Sequence, residues 1–452
     1  MPVLLSLAIT IVLIIFLIIK LKTNPAVALF IGSLFMGISS KLGLVTTVST
    51  ITTGFGNTMA ALGFSVGFGV MLGELVAATG AVQSIANNIV KFFSKDKSEY
   101  ALGLTGFIVS IPVFYDVGYV VLMPLARALS KKGNKIIPYF AGALVAGLGI
   151  AHTFIPPTPG PLTGASLLGV DVGAMILWGI VIGFPTFILA MFVYDKFFLS
   201  RKNFWDPTKD EEYDEAHAAE QRKLESELIK DEKELPGFFL SLLPVFVPII
   251  LIILGTVSSV TMGAENVPEI IKFVSDKHVA MFFGLLSAIL LALSRNMKLG
   301  EIEKVLNTSL SSIGTVLFIT GSGASLGAVL GAVKVGDALL EVVGAINIHP
   351  ILFVWLIAAL LKLAQGSGTV AMITTVSMVA PMAAQLDVAP VFLALAAFSG
   401  TLATAHVNDS AFWITSKMAG LTVTGGFKVY TLVCALQAVI SLILIFAASF
   451  IF

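Results

Sequence analysis

His152-Thr153-Phe154-Ile155-Pro156-Pro157-Thr158-Pro159-Gly160-Pro161 interrupts an otherwise apolar stretch, 137–168. Its last six residues hold four prolines and a glycine. Proline lacks an amide hydrogen and its ring clashes with the preceding turn, so residues 156–161 are expected to break a helix. A second stretch, 389–420, is also apolar at its ends and irregular in the middle, at His406-Val407-Asn408-Asp409-Ser410. Two more, 99–130 and 349–384, are interrupted near their centres, at Ser110-Ile111-Pro112-Val113-Phe114-Tyr115-Asp116-Val117-Gly118 and at Gln365-Gly366-Ser367-Gly368-Thr369. A backbone broken at membrane depth must line a cavity or be buried in protein, because lipid offers no hydrogen bonds. Each break therefore marks a place with a function.

That these breaks lie in a membrane follows from composition. The chain of 452 residues is 57% hydrophobic and 12% charged, against about 25% charged in soluble proteins. Residues 201–234 alone carry 7 basic and 12 acidic side chains. Continuous apolar runs at 3–20, 25–40, 57–79, 172–195, 238–256, 278–294, 313–332 and 428–451 fit helices of about 20 residues. The fold class is all-α and polytopic. Net charge is zero, so no basic footprint for nucleic acid exists. The single cysteine, Cys434, excludes an intrachain disulfide and a thiolate metal cluster. Met1 to Lys20 has no positive n-region and reads as a retained helix. Neither a phosphate-binding G-x-x-x-x-G-K-[ST] loop nor an H-E-x-x-H pair is present, so the chain is not expected to be an enzyme, and no cofactor or metal is expected.

Short loops rich in Lys and Arg face the cytoplasm. If 99–130 and 349–384 enter the membrane and return, and the N-terminus lies outside, then Lys20, Lys22, Lys91 to Lys97, Lys131 to Lys135, the segment from Lys196, Arg295 to Lys304, Lys417 and Lys428 are all cytoplasmic. Full crossing of the two stretches would move Lys131, Lys132 and Lys135 outside. The re-entrant reading leaves about five crossings per half, an odd number, so the halves insert in opposite directions. Matching landmarks agree: Gly80-Ala81-Val82 with Gly331-Ala332-Val333, Pro124 with Pro381, Ala151-His152 with Ala405-His406, and Gly169-Val170-Asp171-Val172 with Gly420-Leu421-Thr422-Val423. The expected organisation is a first repeat over 1–200, a charged cytoplasmic linker over 201–236, and a second repeat over 237–452. Inverted repeats are the architecture of secondary transporters. From Glu211 to Lys233 the linker mixes charges at helical spacing and reads as a solvated helix or tether.

Each break exposes the start of a half-helix, whose free N–H groups and positive dipole end favour an anion. Ser, Thr and Asn add neutral donors suited to hydroxyl and carboxylate oxygens. The expected ligand is a small hydroxycarboxylate near the membrane midplane. Candidate substrate-binding residues are Tyr115, Asp116, His152, Thr158, Gln365, Ser367, Thr369, His406, Asn408 and Ser410. Asp116, His152 and Asp409 are the candidates for proton coupling, since ionisable groups at membrane depth are costly to keep there. Lys362 and Glu74 are also intramembrane, with Lys362 a candidate partner for a carboxylate or for backbone oxygens.

The run from Gly54 to Gly80 (GFGNTMAALGFSVGFGVMLGELVAATG), Ile111 to Gly118, HTFIPPTPGP from His152, QGSGTVA from Gln365 and HVNDSAFW from His406 together resemble the gluconate permease family, the gluconate:proton symporters, within the larger ion-transporter superfamily. The resemblance covers essentially the whole chain. It implies uptake of a sugar acid or short hydroxy acid with protons, a homodimer in the bacterial inner membrane, and a scaffold beside an elevator-type transport domain holding the hairpins and broken helices. Thr158 stands where the family pattern often has His, and Lys362 where it often has Arg, which opens the range to acids such as glycerate or 3-hydroxybutyrate. Sodium coupling, with Asp409 and carbonyls as ligands, and a passive anion channel are the alternatives; a channel needs a continuous pore, which an inverted repeat does not favour.

Overall fold

The computed structural model describes residues 2–94, 97–212, 234–338 and 348–451. Among them the chain is helical, its one β-bridge joining Glu211 to Leu421. Eight helices are long and apolar enough to cross a membrane, and four shorter apolar helices accompany them.

Two helices organise the molecule. Leu44–Ala78 and Leu299–Ala332 have 35 and 34 residues, about 50 Å each at 1.5 Å per residue. They lie antiparallel: the Ser325 hydroxyl donates to the Ile51 carbonyl at 2.9 Å, Phe55 meets Phe318 edge-on, and Gly67 faces Ile313. Apolar runs mark only 57–79 and 313–332, yet both helices begin earlier. Their first turns are rich in hydroxyls that bond back to their own helix. Thr47 donates to the Gly43 carbonyl at 2.6 Å, Thr50 to Thr46 at 2.8 Å and Thr308 to Lys304 at 2.8 Å. Such bonds hide polarity inside the helix. Val3–Ile19, Pro25–Ser39, Phe238–Met262 and Lys277–Ser294 pack around this pair.

The first interrupted stretch is a hairpin, Ser98–Val109 and Tyr115–Gly133. Lys135, just beyond the second arm, pairs at 2.8 Å with Glu99 at the start of the first. Only a chain that doubles back brings those residues together. The second hairpin, Pro350–Gln365 and Gly368–Val379, turns at Gly366, whose φ of 78° lies in the left-handed region that glycine tolerates. Its far end, Gln385, reaches Asp337 just past Leu299–Ala332. The start of that long helix is at the opposite end, where Arg295 donates to the Glu234 carbonyl and Ser84 to the Pro236 carbonyl, both at 2.6 Å. The two hairpins thus have their bases at opposite ends of the bundle.

The broken helices are Ile137–Phe154 with Pro159–Leu167, and Pro390–Ala403 with Ser410–Ala419. The first break is shorter than the sequence suggests. Pro159, Gly160 and Pro161 form the first turn of a helix, where a missing N–H costs nothing because that amide has no carbonyl to meet, and His152 belongs to the last turn before the break. Equivalent elements start at 44 and 299, 98 and 350, 137 and 390, 159 and 410, and 172 and 423. That separation runs from 255 down to 251 residues, so the landmarks seen in sequence mark corresponding helices.

Tight backbone contact holds the first broken helix against the first hairpin. A Cβ at Gly147, on the first broken helix, would collide with the Gly103 carbonyl of the first hairpin. Glycine is what lets these two helices touch. The linker is anchored at both described ends. Lys428 bonds the fully buried Asp210 carboxylate and the Phe204 carbonyl, each at 2.6 Å, and Glu212 donates to the Gly420 carbonyl at 2.9 Å. From 213 to 233, the mixed-charge stretch lies outside the described residues.

Candidate substrate site

The four half-helices begin at Tyr115, Pro159, Gly368 and Ser410. The first turns of all four line one cavity of about 160 Å³. Tyr115 and Asp116 come from the first hairpin, Gly160 and Pro161 from the first broken helix, Gly368 and Thr369 from the second hairpin, and Ser410 and Ala411 from the second broken helix. Unpaired N–H groups at helix starts carry the positive end of the helix dipole. Four such ends around one small space create a seat for oxyanions.

The side chains divide into a tied set and a free set. Lys362, on the last turn of its arm, forms an ion pair with Asp409, and the two side chains are 3% and 10% exposed. Its ammonium also donates to the Gly366 carbonyl at 2.6 Å. Tyr430 donates to Asp409 Oδ2 at 2.7 Å, and the Ala411 amide to Oδ1 at 3.1 Å. Asp409 therefore caps its half-helix and neutralises Lys362 at once. The Tyr115 hydroxyl bonds Thr415 at 2.7 Å. Asp116 is different. It lines the cavity, yet among the described residues no hydrogen bond or ion pair engages its carboxylate. His152 lines the cavity too, and its Nδ1 is buried without a partner among the described residues.

Of the residues singled out in sequence, the cavity gathers Tyr115, Asp116, His152, Ser367, Thr369, Asp409 and Ser410. It does not gather Thr158, Gln365, His406 or Asn408. The Thr158 hydroxyl is spent on the break itself, against the His152 and Ile155 carbonyls at 2.8 Å each. Asn408 donates to the Leu363 carbonyl at 2.7 Å, tying the second break to the second hairpin. His406 sits in the loop between the two halves of its helix, and Gln365 ends the helical arm before Gly366. Sequence reasoning missed Thr153, Thr401 and Tyr430, which also line the space. The available signal was a hydroxyl within an apolar run; for Tyr430, nothing in its neighbourhood resembles a break. Glu74 lines a second, larger cavity, and Asp116 borders that one as well.

Comparison with known proteins decides the family, since a family profile described as GntP family permease matches residues 1–451. The chain belongs to the GntP permease family. This GntP permease is 32% identical to a gluconate permease of Bacillus licheniformis over 97% of each chain. It is 30% identical to the high-affinity gluconate transporter of Escherichia coli, over 96% of this chain and 97% of that one. It is also 31% identical to the D-serine transporter DsdX of Escherichia coli, over 99% and 98%. These relatives carry the names of permeases and transporters, not enzymes. Two solved structures share the permease's fold. MtrF of Neisseria gonorrhoeae has a TM-score of 0.62 at 17% identity, covering 89% of this chain and 85% of that one. The YdaH transporter of Alcanivorax borkumensis has 0.60 at 15%, covering 89% of each.

Proposed function

We propose that this permease imports a small hydroxycarboxylate, of the gluconate kind, together with a proton. One observation carries the reading: four half-helix starts and the Lys362 ammonium converge on a single small cavity. The carboxylate sits beside Lys362 and the Gly368 and Ser410 helix starts, and hydroxyl groups pair with Ser367, Thr369 and Thr401. Asp409 is already matched by Lys362, so the unmatched charge is Asp116. A second anion beside an ionised Asp116 is repelled; a proton on Asp116 removes that repulsion and lets substrate and proton bind together. The N-terminus lies outside, which keeps the basic loops cytoplasmic. The hairpins and broken helices move as one body against Leu44–Ala78 and Leu299–Ala332, in the elevator manner. A second copy covers exposed polar positions of those long helices, Ser49, Thr53 and Asn57 on one and Asn307, Ser311 and Thr315 on the other, because small and polar residues serve helix association better than they face lipid.

The test is uptake of labelled gluconate, glycerate and 3-hydroxybutyrate into proteoliposomes under an imposed pH gradient or an imposed sodium gradient. Accumulation that follows the pH gradient supports the proposal. Accumulation that follows only sodium removes the proton, and passive equilibration without accumulation removes coupling altogether. The free Asp116 carboxylate also favours a second reading, a zwitterionic hydroxy amino acid whose ammonium pairs with Asp116, in keeping with the D-serine transporter among the relatives. Asp116→Asn separates the two. A hydroxy acid still exchanges across the membrane in that variant but no longer follows the pH gradient, whereas D-serine loses its ammonium partner and stops binding.

A further inference from the structure

The second cavity, about 820 Å³, has Glu74, Asp116, Glu301 and Lys304 on its wall, beside valines of the first hairpin and Met297, Val305 and Thr308. Glu301 and Lys304 lie in the first turns of Leu299–Ala332, at the end of the bundle where Arg295 meets the linker. The cavity therefore lies toward the face that the charge pattern assigns to the cytoplasm. Asp116 borders both this space and the substrate cavity, so this residue stands in the partition between them. Glu74 is half-buried and, among the described residues, has no hydrogen-bond or ion-pair partner. Its position is fixed by its neighbour: a Cβ on Gly73 would collide with the Pro112 carbonyl, so Leu44–Ala78 presses against the tip of the first hairpin just before Asp116.

Resting on the proton-coupled reading above, we infer that Glu74 is the proton-release residue of this permease and that the larger cavity is its inner vestibule. The Asp116 carboxylic acid passes its proton through vestibule water to the Glu74 carboxylate. Glu74 passes it on to bulk water, and Asp116 is left as an anion. No covalent bond to carbon forms or breaks, and the charge leaving Asp116 appears as a hydrated proton in the cytoplasm. The restored Asp116 anion then repels the substrate, which leaves by the same vestibule. The other groups facing Glu74 are Glu301 and Lys304 across the vestibule. Glu301 already accepts from the Lys298 amide at 3.0 Å as a helix cap, while Lys304 draws the emerging anion outward. The nearer wall supplies only Ala77, Ala78, Val117, Val120 and Val121, none of which carries a proton.

The experiment uses the full chain in proteoliposomes loaded with a pH-sensitive dye, with labelled gluconate as probe. Wild type, Glu74→Gln and Glu74→His are compared in pH-driven uptake, dye-reported proton entry and substrate exchange at equal pH. In Glu74→Gln, proton entry and driven uptake fall about tenfold or more, as expected when a positioned proton carrier is lost, while exchange stays near wild type. In Glu74→His, driven uptake returns with its pH profile displaced toward the histidine range. Driven uptake by Glu74→Gln at the wild-type rate overturns the inference. So does loss of exchange along with driven uptake, which makes Glu74 a structural or substrate-binding residue. If Glu74→Gln does not fold, the Glu74→His profile decides: a displaced profile supports the relay and an unchanged one refutes it. A wild-type protein indifferent to the pH gradient refutes the proton-coupled reading itself, a separate result.

Discussion

Removing Lys362 tests whether the buried ion pair holds the site together or serves the substrate. Lys362→Met takes away the cation that pairs with Asp409, whose side chain is 10% exposed. Breaking a buried pair from one side costs about 3–5 kcal/mol, because the remaining charge keeps its desolvation without its partner. Asp409 retains the Tyr430 hydroxyl and the Ala411 amide, so the expected loss sits at the lower end, about 3 kcal/mol. Asp409→Asn leaves the ammonium with the Gly366 carbonyl and costs a similar amount. The double variant Lys362→Met/Asp409→Asn leaves no buried charge of the pair, and its stability returns close to wild type. The two singles are therefore non-additive by the sum of their separate losses, about 6 kcal/mol. Unfolding in mixed detergent micelles, read by tryptophan fluorescence, gives the cycle. On the proposed function the double variant is stable yet silent in uptake, because the carboxylate has lost its ammonium. A double variant as damaged as the sum of the singles refutes the pairing argument; one that still concentrates gluconate refutes the role given to Lys362.

Three further outcomes can be checked independently. Gly147→Ala forces a methyl group onto the Gly103 carbonyl and destabilises the protein by about 1–3 kcal/mol, the usual cost of overpacking; unchanged stability in the same unfolding assay contradicts the close contact. Lys428→Met unfastens Asp210 and Phe204, and trypsin cleavage after the exposed Lys209 rises about tenfold, equivalent to 1.4 kcal/mol of lost anchoring; mass spectrometry of the fragments shows whether it does. With Cys434, the chain's one cysteine, replaced by alanine, a cysteine at the exposed Lys132 reacts with an impermeant maleimide in inside-out vesicles and not in intact cells; the reverse pattern inverts the assigned orientation.

What the sequence exposes, and what it hides, follows from how polar groups survive in lipid. The hairpin over 99–130 is legible because Lys131, Lys132 and Lys135 would otherwise fall on the wrong side, and the Lys135–Glu99 pair is the same fact seen in space. Breaks are legible because proline and glycine cannot hide. The starts of Leu44–Ala78 and Leu299–Ala332 are not, because threonines such as Thr47, Thr50 and Thr308 look like loop residues until each hydroxyl is seen to bond its own helix. Thr158 and Asn408 mislead for a related reason. A break frees carbonyls that must be satisfied first, and the nearest hydroxyl or amide is taken for that task before any ligand arrives.

This order of demand also separates the two aspartates, which residue type alone leaves equivalent. Asp409 faces a lysine one hairpin away and caps its own half-helix, so its charge is balanced wherever the substrate stands. Asp116 lies in the first turn of the first hairpin's second arm, where the other repeat has Thr369 and not Asp409, and the opposite arm offers it no cation: the residues around the first hairpin's turn are Ser110, Ile111, Pro112 and Val113. The fold is repeated and the chemistry is not. On the proposed function, one repeat supplies a fixed, neutral pair that recognises an anion, and the other supplies a lone acid whose charge must change before the anion can stay. A symmetric site, with a lysine against each aspartate, would bind anions well and have no reason to take up a proton, so on that proposal the asymmetry between the repeats is where coupling to the proton gradient enters.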